Sequence, residues 1–138
     1  MGLLYTAKVH IKGGRNGHAR SSDGVLDINL TPPKELGGKG DATNPEQLFA
    51  AGYGACFESA LKHVAKNENI AIGDTTVDST VELHSNEKAF RLAVALAIEI
   101  EGVEQDVAEE LVNYAHQVCP YSNAVRNNVD VKLSITVK

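Results

Sequence analysis

Thr43-Asn44-Pro45-Glu46-Gln47-Leu48-Phe49-Ala50-Ala51-Gly52-Tyr53-Gly54-Ala55-Cys56-Phe57 is the stretch on which the fold turns. It opens with a helix-start signature. Asn44 is a good N-cap, Pro45 suits the first helical position, and Glu46 complements the positive end of the helix dipole. Glu58, Lys62 and Lys66 then recur every fourth residue as a narrow polar stripe, with Glu58 ahead of Lys62 in the favourable order. Nearly everything else from Leu48 to Val64 is apolar or small, so the spacing predicts a helix to about Lys66, enclosed on most sides. At ~100° per residue, Glu58 and Lys62 lie far around the helix from Cys56, which puts Cys56 on the interior face.

Working outward, Leu3 to Lys12 alternates loosely and reads as a strand. Gly13-Gly14-Arg15-Asn16-Gly17 is a turn, and Val25 to Leu30 is a second strand. A loop rich in Pro, Gly and Lys, from Thr31 to Ala42, leads into the helix. Downstream, Thr75 to Leu83 and Phe90 to Glu101 read as long strands joined by a hairpin turn at Ser85-Asn86-Glu87-Lys88. A second helix runs from about Glu104 to Val118, with Val107, Leu111, Ala115 and Val118 as its apolar stripe. Pro120 stops that pattern directly after Cys119, which therefore sits at a helix junction. Val129 to Val137 alternates strictly and is the last strand. Strands, helix, hairpin, helix, strand make an α+β fold, expected as one domain over residues 1–138.

Composition narrows the function classes. The 138 residues carry a net charge of −5 with no basic tract, which disfavours nucleic-acid binding through a cationic face. No apolar run approaches the ~20 residues of a membrane span, and no charged-then-apolar signal segment opens the chain, so the expected compartment is the cytoplasm. Met1-Gly2-Leu3-Leu4-Tyr5-Thr6 fits an N-myristoylation pattern, but Leu4, Ala7, Val9 and Ile11 look like the start of a strand instead.

The two cysteines, Cys56 and Cys119, carry the chemistry. In a reducing compartment a pair of thiols is rarely a permanent staple; transient catalytic or redox-sensing disulfides are the usual exception, and inert core packing the bland alternative. A nucleophilic cysteine must be a thiolate, and apolar burial pushes its pKa the wrong way, so a cation has to compensate. Arg15, in its glycine-flanked turn, is the candidate, with Glu46 as its counter-charge. A thiolate oxidised by peroxide becomes a sulfenic acid, which over-oxidises unless a second thiol condenses with it. Cys119 could be that resolving thiol. The end of a helix disfavours its thiolate, unless the chain starts a new turn at Pro120. The five histidines show no paired i, i+4 arrangement and the chain has no CxxC, so no metal site is expected.

In order and spacing, Gly13-Gly14-Arg15, Ser21-Ser22-Asp23-Gly24-Val25-Leu26, the helix start from Thr43 to Tyr53, Ala55-Cys56-Phe57 and Val118-Cys119-Pro120-Tyr121-Ser122-Asn123 closely resemble the organic hydroperoxide resistance proteins of the OsmC-like superfamily. The resemblance spans essentially the whole chain. It implies an OsmC-like α+β fold, with antiparallel sheets around a central buried helix and a second helix, assembled as an intertwined homodimer. It further implies a thiol-dependent peroxidase that reduces organic hydroperoxides to alcohols without metal or haem, as part of an oxidative stress response. Position by position, Cys56 matches the peroxidatic cysteine, Cys119 the resolving cysteine, Arg15 the arginine that stabilises the thiolate, and Glu46 its salt-bridge partner. By the same resemblance the electron donor is dihydrolipoamide, often carried on lipoylated proteins. An OsmC-type osmotically inducible peroxidase and a non-catalytic redox sensor are the alternatives. The chain departs from the family at Asn127-Asn128, where glycine is usual, at Gly54 and Glu58-Ser59, and at Ser85 to Ala89, which lacks a Gly-Gly turn.

Glu46 and Cys56 are ten residues apart, or ~15 Å along an unbroken helix, too far to serve one site directly from the same straight helix. Either the helix breaks near Gly52 or Gly54, or the site needs a second copy of the chain; the latter is expected. Leu36, Phe49, Tyr53 and Phe57 are the candidate lining of a pocket for an alkyl or lipid tail.

Overall fold

The computed structural model describes residues 2–138, so Met1 of the myristoylation-like motif lies outside the described residues. These residues form two compact units, one ending at Leu48 and one beginning at Phe49, and each is taken by itself.

The first unit is a small antiparallel sheet of β1 (Val9–Lys12), β2 (His18–Ser21) and β3 (Asp27–Asn29) in sequence order. The ladder begins at Val9, so the strand expected from Leu3 is shorter than the alternation implied. β2 has no counterpart in the sequence reading. Its residues, His18-Ala19-Arg20-Ser21, offer only one buried apolar side chain, Ala19, and leave no period-two signal. Gly13 takes φ 89° ahead of a 3-10 turn at Gly14–Asn16, which closes the β1–β2 connection. A second 3-10 turn, Lys34–Leu36, interrupts the long loop.

The helix α1 (Pro45–Asn67) starts as its sequence requires. The Asn44 side-chain oxygen accepts a hydrogen bond from the Gln47 N–H at 2.9 Å, satisfying one of the orphan donors of the first turn. α1 runs without a break past Gly52 and Gly54, which removes the broken-helix alternative. Its expected polar stripe is modified at Glu58, which is half-buried and accepts a hydrogen bond from the Thr75 hydroxyl.

The second unit holds the core. β4 (Thr75–Ser85) and β5 (Phe90–Ile100) form the expected hairpin. Asn86 closes its turn without a Gly-Gly pair, because its side-chain oxygen accepts from the N–H groups of both Lys88 and Ala89, each at 2.9 Å. α2 (Gln105–Val118) and the short α3 (Pro120–Val125) then carry the chain to β6 (Asp130–Val137). β6 pairs with β5 in parallel, so this sheet is mixed, in the order β4-β5-β6. The parallel pairing follows from the helical crossover, which returns the chain to the same end before β6 begins. α3 is an element that Pro120 alone did not reveal. Asn127 takes φ 66° after it, a left-handed conformation that glycine adopts freely and asparagine tolerates, which accounts for the exchange at this position.

Tyr53, Phe57, Leu61, Leu96, Ile98, Ile100, Val112 and Cys119 are the enclosed side chains of this core. On α2 the buried stripe is Ala108, Leu111, Val112 and Ala115, while Val118 is exposed. Among the described residues no helix is long and apolar enough to cross a membrane.

Candidate active site

In the first unit the turn after β1 and the first turn of α1 bring together Arg15 and Glu46. The guanidinium makes a two-pronged contact with the carboxylate, Nη1 to Oε1 at 2.6 Å and Nη2 to Oε2 at 3.0 Å. That fork fixes the plane of the arginine as well as its position. The hydrogen bond with Glu46 is the largest cause holding the Arg15 pKa above its usual value. Leu36, the candidate pocket residue of this unit, stands 52% exposed on its 3-10 turn.

In the second unit the two cysteines are both free thiols that meet one core, Cys119 within it and Cys56 packed against it. Cys56 is less enclosed than a place on the interior face implies. Cys56 is half-buried at the edge of the core, whereas Cys119 is fully enclosed. Cys119 closes α2, its N–H donating to the Ala115 carbonyl at 2.8 Å, and it also stands immediately before α3. A new helix therefore does begin at Pro120, so Cys119 stands at a helix start as well as at a helix end.

Burial pushes the Cys56 thiol above its ordinary value, and Cys119 raises it further through its charge. The backbone amide of Tyr121 pulls the other way, and a side-chain hydrogen bond with Cys119 adds a last increment upward. Left to these groups, Cys56 is a protonated thiol at neutral pH, which is the physical need for a cation.

An aromatic wall forms in the same unit. Tyr53 stacks on Tyr121 with ring centres 5.7 Å apart, and Phe49 meets both edge-on at 6.3 and 6.2 Å. Gly52 makes room for this arrangement, since a Cβ there would lie 2.7 Å from the Tyr121 hydroxyl oxygen. Of the proposed pocket residues, Tyr53 and Phe57 are fully enclosed core side chains, and Phe49 is half-buried.

Sequence reasoning missed a polar chain behind this wall. The Tyr53 hydroxyl lies 2.7 Å from the Ser122 hydroxyl, and Ser122 lies 2.8 Å from His116 Nδ1. Arg126 ties the segment down by donating to the His116 carbonyl and to the Asn123 side-chain oxygen. The only sequence signal was spacing: His116 and Ser122 stand three residues either side of Cys119. Among the described residues no group of three or more His, Cys, Asp or Glu side chains is gathered as a metal site.

A family described as OsmC-like protein matches residues 38–134 of the chain. The organic hydroperoxide resistance protein OhrB of Bacillus subtilis is 49% identical over 134 residues, covering 96% of this chain and 98% of its own length. The organic hydroperoxide resistance protein of Xanthomonas axonopodis pv. citri is 49% identical over 135 residues, covering 96% of this chain and 95% of its own. Among solved structures, an organic hydroperoxide resistance protein OsmC from Legionella pneumophila superposes with a TM-score of 0.95 at 56% identity, covering 98% of this chain and 99% of that one. A putative organic hydroperoxide resistance protein from Vibrio cholerae, with captopril bound in one of its active sites, gives 0.94 at 48% identity, covering 98% and 94%.

Proposed function

This chain belongs to the OsmC-like family, among its organic hydroperoxide resistance proteins, and on that premise we propose that it is a thiol-dependent peroxidase acting on alkyl or lipid hydroperoxides. The observation that carries this reading is the pair of free thiols in one unit, with Cys119 inside the core and Cys56 packed against the same core.

The reaction runs in three balanced steps. The Cys56 thiolate attacks the terminal peroxide oxygen, the O–O bond breaks, and the alkoxide takes a proton and leaves as the alcohol. Cys56 is left as a sulfenic acid. The Cys119 thiol attacks that sulfur, forming the disulfide and breaking the S–O bond, and water leaves. A dithiol then exchanges with the disulfide and departs as its own cyclic disulfide, restoring both thiols. Dihydrolipoamide, free or on a lipoylated protein, is the donor we assign from the family resemblance.

Arg15, held in its fork by Glu46, is the cation assigned to the Cys56 thiolate. The working form is proposed as a homodimer in the cytoplasm. The unit ending at Leu48 supports the dimer, because Leu3, Leu4, Val9, Ile11 and Val25 are all exposed apolar side chains there.

The test is a steady-state peroxidase assay with cumene hydroperoxide and dihydrolipoamide on the parent, Cys56→Ser and Cys119→Ser. Many turnovers by the parent, none by Cys56→Ser and no more than one per site by Cys119→Ser are expected. Unchanged peroxide consumption by Cys56→Ser would sink the reading. A parent that oxidises once and does not turn over would instead be a sensor.

A further inference from the structure

The proposed cycle needs two backbone segments held in register: the turn of α1 that carries Cys56, and the α2–α3 junction that carries Cys119. Tyr53 and Phe57 flank Cys56 on α1, and His116 and Ser122 flank Cys119 three positions on either side. Each flanking residue on α1 meets one at the junction. The Tyr53 hydroxyl lies 2.7 Å from the Ser122 hydroxyl, and the Phe57 ring centre lies 6.4 Å from that of His116. Tyr53 also stacks on Tyr121, the residue before Ser122. These contacts bring the two segments together without reference to where either sulfur points.

The junction is also tied within itself. The Cys119 N–H donates to the Ala115 carbonyl at 2.8 Å, and its carbonyl accepts from the Asn123 N–H at 3.0 Å. His116 Nδ1 meets the Ser122 hydroxyl at 2.8 Å across the junction, and Arg126 donates to the His116 carbonyl and the Asn123 side-chain oxygen. Ser122 is the member common to both sets of links, and it is 0% exposed. Its hydroxyl can donate to one partner while accepting from the other, so one side chain serves both bonds. Tyr53 to Ser122 is the only side-chain hydrogen bond between α1 and α3 among the described residues.

We propose that Ser122 is a positioning residue for disulfide closure: bonded to Tyr53 on α1 and His116 on α2, it holds the Cys56 turn and the Cys119 junction in register. The inference rests on the proposed two-thiol cycle. In the step concerned the Cys119 thiol attacks the Cys56 sulfenic sulfur, S–S forms and S–O breaks, and the hydroxyl leaves as water with the thiol proton. Ser122 exchanges nothing in this step and acts only through the segments that carry the sulfurs. Register matters because a disulfide accepts a narrow range of Cα separations, roughly 4.4–6.8 Å, and one preferred torsion about S–S.

The experiment is single-turnover oxidation with one equivalent of cumene hydroperoxide in the parent, Ser122→Ala, Ser122→Thr and His116→Phe. Dimedone trapping reports the sulfenic acid, and loss of free thiol reports closure. The ratio of closure rate to sulfenic-acid formation rate should fall about tenfold in Ser122→Ala, part of the ~10²-fold that ~1 Å of misplacement can cost. His116→Phe keeps a ring beside Phe57 and the Tyr53–Ser122 bond, and should lose less. Ser122→Thr, which keeps the hydroxyl, should recover most of the loss. In a dithiothreitol redox buffer the Ser122→Ala equilibrium should move towards the dithiol, which a fold weakened equally in both redox forms would not show. A parental ratio in Ser122→Ala, or threonine no better than alanine, would overturn the positioning role while leaving the peroxidase reading intact. A parent that forms no disulfide overturns both. Should Ser122→Ala fail to fold, His116→Phe decides alone, and an unchanged ratio there overturns the role.

Discussion

Gly52 and Gly54 stand two apart in the same helix, and alanine at the two positions should have opposite consequences. In a helix interior, Gly→Ala gains ~0.8–1.0 kcal/mol of propensity. At Gly54 a new Cβ would lie 3.4 Å from Ser79 Cβ and 3.7 Å from Val77 Cγ1, which is ordinary van der Waals contact. Nothing has to move, so Gly54→Ala should stabilise the fold by about 1 kcal/mol, or roughly 3–5 °C in Tm for a chain of this size. At Gly52 the Cβ would stand 2.7 Å from Tyr121 Oη and 3.2 Å from Cζ, so the ring must swing aside. Tyr121 is 37% exposed and has solvent to move into, but it leaves its stack on Tyr53 and its edge contact with Phe49. Each such pair contributes ~0.5–1.5 kcal/mol, so the propensity gain is cancelled or exceeded and Gly52→Ala should be neutral to about 2 kcal/mol less stable. Reversible melts of both variants and the parent under one set of conditions measure the difference. Equal stabilisation by the two substitutions would refute the claim that Tyr121 is seated against Gly52.

Two further outcomes separate structure from chemistry. The Arg15–Glu46 fork has its arginine 42% exposed, so Glu46→Gln should change stability by less than ~1 kcal/mol. The same substitution loosens the guanidinium and should lower kcat/KM for cumene hydroperoxide by on the order of tenfold or more, since ~1 Å of misplacement can cost ~10²-fold. Intact activity with a large loss of stability would invert that assignment. Removing Cys119 deletes two of the influences that raise the Cys56 thiol. In Cys119→Ala the iodoacetamide alkylation profile of Cys56 should therefore shift to lower pH, and an upward or absent shift would contradict the influence of Cys119 on the Cys56 thiol.

Local chemistry explains what was readable in advance. Asn44 and Pro45 announce a helix start because capping involves only neighbouring backbone groups. The hairpin, the strict alternation before Val137 and the junction at Cys119 are legible for the same reason. β2 was not, because its pairing with β1 and β3, rather than any pattern in His18–Ser21, makes it a strand. The depth of Cys56 is not legible, because helical periodicity says which face a residue lies on, not how deeply its neighbours enclose it.

By itself the sequence determined the element order of an α+β chain, the capped central helix and a pairing of thiols with a candidate Arg–Glu fork. These follow from residue types within a few positions of one another, or from motifs matched whole. Only the tertiary structure decided that β6 runs parallel to β5, that Cys119 rather than Cys56 is the enclosed thiol, and that Tyr53, Ser122 and His116 are joined. Tyr53 and Ser122 lie 69 residues apart, and no local preference can encode a hydrogen bond over that separation. It exists because the core draws α1, α2 and α3 together, and a hydroxyl enclosed there must find a partner.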